Sequence, residues 1–141
     1  MKMCNFATLA ALLAVPALSV AYGLDQSNPK SLLQLQIRIF RSASSSLSAC
    51  SSKADIPKTE AAIRKLIKDQ NMLNAATKAM SMEQLEALQE LRDGKLAKSL
   101  EKAQNSFANA LVKFSDTLGD DAEELSSLLT ELRGLIDSGP A

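Results

Sequence analysis

Asp120, Asp121, Glu123 and Glu124 place four carboxylates within five positions. Hard oxygen ligands in such number raise the chemistry of cation binding. A calcium loop, however, takes its ligands from alternate positions around a central Gly and closes on a bidentate Glu. These acids are nearly consecutive and follow neither rule, so they suit the positive N-terminal end of a helix dipole instead. Glu83, Glu86 and Glu90 recur at helical spacing and would share one face. Bundles that hold two metal ions add Glu-x-x-His pairs to such carboxylates. This sequence contains no His at all. The expectation is therefore no metal and no cofactor.

The missing His also removes the commonest general base, so Cys50 and the many serines have no evident activating partner. The sequence reads as that of a non-enzyme. Met72, Met80 and Met82 gather near one helix junction, and Phe107 and Phe114 stand one heptad apart. Methionine fills irregular space and recurs in adaptable apolar sites. Ordinary core packing explains these five residues; the alternative is the apolar lining of a site for a lipid-like ligand.

The elements that must position them are helical. Ala, Leu, Glu, Lys and Gln abound while β-branched residues are sparse. The organising stretch is Lys95–Leu118, between Gly94 and Gly119. Leu96, Leu100, Ala103, Phe107, Ala110, Leu111, Phe114 and Leu118 recur in it by threes and fours on one side. Ser27 or Asn28 caps an earlier helix running to Ala49, with Pro29 in its first turn. Its stripe is Leu33, Ile37, Phe40, Ser44 and Leu47, widened by Leu32, Leu35 and Ile39. The serines from Ser42 to Ser52 predict fraying at its C-terminal end. Asp55-Ile56-Pro57 opens the next helix, whose face of Ile63, Leu66, Ile67, Leu73 and Met80 is diluted by Gln70, Asn71 and Asn74. Ser81-Met82-Glu83-Gln84 matches a capping box, so a short helix lined by Leu85, Leu88 and Leu91 begins there and stops at Asp93-Gly94. After Gly119-Asp120-Asp121, a last helix buries Leu125, Leu128, Leu129, Leu132, Leu135 and Ile136 until Ser138-Gly139-Pro140. The reading is all-α: an antiparallel bundle of four long helices plus one short helix.

Met1–Ala21 reads as a cleaved secretory signal peptide. Lys2 precedes the apolar run Phe6–Val20, and Ser19-Val20-Ala21 offers small residues at the cleavage site. The mature domain would then be residues 22–141, a secreted chain without a transmembrane segment. Cys4 leaves with the leader, so Cys50 is either a free thiol or half of an intermolecular disulfide in a weak homodimer. Otherwise the chain is a monomer.

Charge is unevenly laid out. Lys30–Lys78 holds nine Lys and Arg against three acids, and Glu83–Asp137 holds six against twelve acids. Two halves that complement each other across one bundle account for this; a basic face for an acidic partner or a membrane surface is the sharper alternative. Aromatic residues make up only 4% of the sequence, too few in the basic half for a base-stacking surface, so nucleic acid is not expected as a partner.

Phe107–Asp137, FANALVKFSDTLGDDAEELSSLLTELRGLID, resembles the end of fungal hydrophobic-surface-binding wall proteins. That resemblance implies a secreted helical bundle of the cell wall, of a kind that in some members holds lipid. The leading expectation from the residues is a secreted, non-enzymatic protein that binds a surface or protein partner. The second is a carrier of a small, fatty-acid-like hydrophobic ligand in the bundle core. Ala103 and Ala110 beside Phe107 favour closely interlocked helices. On the leading expectation, long-chain fatty acids leave the thermal transition where it is.

Overall fold

The computed structural model describes residues 28–137. The proposed signal peptide, residues 22–27 and the Ser138-Gly139-Pro140 end lie outside them. The described chain is an all-α bundle of four long helices and one short one. These are α1 (Pro29–Ala49), α2 (Ile56–Lys78), α3 (Met82–Asp93), α4 (Ala97–Leu118) and α5 (Glu123–Asp137).

Local chemistry sets most of the ends. Asn28 caps α1, its Oδ1 accepting from the Lys30 N–H at 2.9 Å, with Pro29 in the first turn. The expected fraying over the serines does not occur, and α1 stays helical to Ala49. Ala43, Leu47 and Cys50 are buried there, and Ser44 returns its hydroxyl to the Phe40 carbonyl at 2.9 Å. Burial outweighs the weak helix preference of serine.

Asp55 stands at the start of α2, but its carboxylate does not cap that helix. It turns back to accept from the Ser51 N–H at 3.1 Å and from the Ser51 and Ser52 hydroxyls. The Ser51 backbone N–H, helped by the two hydroxyls and opposed by desolvation, holds its pKa below the ordinary carboxylate value. This contribution is present at neutral pH and is lost as the pH falls through that lowered value.

The capping box opens α3 as the sequence predicts. Ser81 Oγ accepts from the Gln84 N–H at 3.2 Å, and Gln84 Oε1 accepts from the Ser81 N–H at 2.9 Å. At Gly94 the chain turns so tightly that an added Cβ would lie 2.9 Å from the Glu90 carbonyl oxygen. Only glycine fits that approach without moving backbone.

Successive long helices run in opposite directions, and α3 carries the chain across one end of the bundle. At that end Leu33 of α1, Leu73 of α2, Leu88 of α3, Leu100 of α4 and Ile136 of α5 come together. Consequently α1 and α4 run side by side in the same sense, as do α2 and α5. The most extensive packing is between α1 and α4, followed by α2 with α5 and α1 with α2.

The core lies where these faces meet. Leu32, Leu35, Ile39, Ile63, Leu125 and Leu132 are its most completely enclosed apolar side chains. Phe40 and Phe107 pack with ring centroids 5.7 Å apart and planes tilted by 52°. The two charge-biased halves lie against each other. Lys53 meets Asp121 at 3.6 Å and Arg64 meets Glu124 at 3.8 Å. Both pairs are exposed, so they set complementarity more than stability.

Candidate functional site

Although α4 and α5 follow each other through a tight turn, they pack on α1 and α2 more than on one another. The buried stripe of α4, Leu100, Ala103, Phe107, Ala110, Phe114 and Leu118, is committed to α1 and the core. On its α5 side it presents Gln104 and Ala108, one polar and one small. Neither fills the space opposite Arg133, Ile136 and Asp137 of α5. Ala122 is buried at the turn between the two helices.

The result is a cleft in two parts. The outer part, about 340 Å³, has Phe40 and Phe107 as its floor and Ala108, Leu111, Val112 and Arg133 on its sides. The inner part, about 220 Å³, runs to the bundle end among Leu32, Leu33, Leu73, Leu88 and Leu100. Phe40, Gln104, Ile136 and Asp137 line both parts. The walls of the inner part mix apolar and polar side chains: leucines, Phe40 and Ile136 stand beside the neutral polar groups of Gln36, Asn74, Thr77 and Gln104, and Arg92 and Asp137 supply charge.

Behind the inner wall runs a ladder of amides. Gln36 and Gln70 exchange hydrogen bonds, each Nε2 donating to the other Oε1 at 2.9 Å. Gln70 Nε2 also donates to Asn74 Oδ1 at 3.0 Å, and Asn74 Nδ2 donates to the Leu135 carbonyl at 2.8 Å. Gln70 is 0% exposed. Residues that only dilute the apolar face in the sequence thus tie α1, α2 and α5 together. Their one sequence signal is position: Gln70 and Asn74 stand four apart and follow Ile63, Leu66 and Ile67 along the buried side.

The five residues singled out as apolar lining do not form one group. Phe107 lines the cleft. Phe114 is buried elsewhere in the core, and Met80 is buried at the turn between α2 and α3. Met72 is half-buried against the core, whereas Met82 is 75% exposed. None of these four borders either part of the cleft. Leu33, Phe40 and Ile136, assigned only to the core from the sequence, do border it. The opening depends on where two helices diverge, and no single residue spacing encodes that.

Cys50 is a free thiol buried where α1 ends, its N–H bonded to the Leu47 carbonyl at 3.1 Å. Disulfide exchange with a second chain requires that end to open. The acids at 120, 121, 123 and 124 are exposed around the α4–α5 turn, and Glu83, Glu86 and Glu90 face solvent on α3. Among the described residues no group of three or more His, Cys, Asp or Glu side chains is placed to hold a metal ion. No described helix is long and apolar enough to cross a membrane.

No protein-family model matches this chain, and no curated protein or solved structure matches it either. The likeness of Phe107–Asp137 to fungal hydrophobic-surface-binding wall proteins therefore rests on the residue pattern alone.

Proposed function

We propose that this is a secreted, non-enzymatic binding protein whose α4–α5 cleft takes up a small, elongated apolar ligand. The observation that carries this reading is the cleft itself, in which Phe40, Phe107 and a run of aliphatic side chains form a continuous apolar strip beside neutral polar groups and the charged Arg92, Arg133 and Asp137. Small-molecule sites are concave, mostly apolar and about 300–1,000 Å³ in volume. Parts of about 220 and 340 Å³ suit an alkyl chain and are narrow for a partner's helix. An apolar chain laid along Phe40, Phe107 and Leu100 would leave water at about 25 cal/mol per Å² of buried surface.

Binding a surface or a protein partner ranks second. Such binding uses a contiguous exposed apolar patch. Among the described residues the large exposed apolar side chains are Met82 at 75% and Val112 at 63%, and they sit on different helices.

The test is thermal melting with medium- and long-chain fatty acids and alcohols. A ligand that binds only the folded chain stabilises it by RT ln(1 + [L]/Kd), about 2.7 kcal/mol at a hundredfold excess over Kd. For a domain of this size that is a rise of several degrees. On this reading the transition shows a saturable rise, where a surface-binding module would leave it unmoved. Ala108→Trp, which fills the outer part from an exposed position, should abolish the rise and keep the fold. No shift with any chain length, or an equal shift in Ala108→Trp, would refute the cleft as the site.

A further inference from the structure

The polar groups of the inner cleft are held in fixed directions. The Leu135 carbonyl can only accept, so it draws Nδ2 of Asn74 toward it and turns Oδ1 toward Gln70. That orients the Gln70 amide, and Gln70 in turn orients Gln36. A primary amide has two N–H donors and two acceptor lone pairs on its oxygen. After the ladder bonds, Gln36 and Asn74 each keep one N–H and one lone pair. Thr77 donates its hydroxyl to the Leu73 carbonyl at 2.9 Å and keeps its acceptor capacity. All three side chains line the inner cleft, among leucines. Arg92 borders the same space but is already engaged within the chain. Beside Arg92 and the Asp137 carboxylate, the wall therefore offers neutral donors and acceptors together, prepositioned by a fully buried glutamine.

We infer that the inner cleft selects an uncharged, hydrogen-bonding head group, a primary alcohol or amide, carried on the apolar chain. This rests on the cleft being the ligand site. An uncharged head gains both a donor and an acceptor here. A carboxylate would give up hydration beside the Asp137 carboxylate, where the lining cation Arg92 is already engaged within the chain. A head without polar hydrogen would leave the wall's groups dry and unpaired.

The experiment compares decan-1-ol, 1-chlorodecane and decanoate by calorimetric titration of the folded chain, with melting shifts alongside. The expected result is that decan-1-ol binds about tenfold more tightly than either of the others, a difference of about 1.4 kcal/mol. Thr77→Val, which keeps the side-chain shape and removes the oxygen, should narrow the alcohol-to-chloride ratio. The ratio in the unaltered chain stands as a test even if that variant folds poorly. Equal affinity for alcohol and chloride would overturn the head-group inference and leave the cleft reading intact. Tightest binding of decanoate would overturn it in favour of a cationic head site. Binding of none of the three would sink the cleft reading itself.

Discussion

Phe107→Ala is expected to destabilise the fold by about 3–5 kcal/mol, as large-to-small changes of buried aromatics do. Phe107 is 4% exposed, stacks at an angle on Phe40 across the α1–α4 contact, and forms part of the cleft floor. Truncation removes the aromatic pairing and the apolar burial together, and its void adjoins a cleft already open to water. Urea unfolding would show the loss as a lower midpoint, with a melting temperature lower by more than about 10 °C. Phe107→Leu refills much of the volume and should lose far less. A change within about 0.5 kcal/mol for the alanine variant is what an exposed site gives, and it would remove the contact that organises α1 and α4.

Gln70→Glu should cost a comparable amount, about 3–5 kcal/mol at neutral pH, because it leaves an uncompensated charge in a fully buried position. The new carboxylate accepts but cannot donate, so Asn74 Oδ1 and Gln36 Oε1 lose the N–H groups they now receive. Burial raises the folded-state pKa of such a group above its unfolded value. The neutral acid is therefore tolerated below the unfolded pKa, and stability falls as the pH rises through the folded one. Urea midpoints at pH 4 and pH 7 check this: the gap from the unaltered chain should widen clearly at the higher pH. A gap that is the same at both would mean that Gln70 is hydrated rather than enclosed.

Much of the fold was legible because its signals are local. The Asn28-Pro29 cap, the Ser81–Gln84 box, the Gly94 stop and the α4 stripe each act within a few residues, and all appear where spacing puts them. The serine-rich end of α1 was misread because its helicity comes from tertiary burial of Leu47 and Cys50. Asp55 reads as a cap by its place before Ile56-Pro57, yet nearer serine donors capture its carboxylate. The cleft was legible only in part. Phe107 was found because it is large and on the stripe. Gln36 and Asn74 were not, since an amide acquires meaning only when three helices bring it a partner 34 or 61 residues away.

The crossing made by α3 also shapes how the chain comes to order. Because it sets α4 beside α1 and α5 beside α2, the stripe of each late helix is covered by a helix formed much earlier in synthesis. The α4–α5 hairpin has little mutual surface, so it cannot nucleate by itself; it must condense onto an α1–α2 template. A bundle wired by neighbouring hairpins closes short loops first, whereas this one must close long ones before most of its apolar surface is covered. Refolding should accordingly be slow for a helical protein of this length, which stopped-flow circular dichroism can time. A nascent chain halted before α5 would still display the bare leucine and isoleucine face of α2, the surface that a holding chaperone recognises.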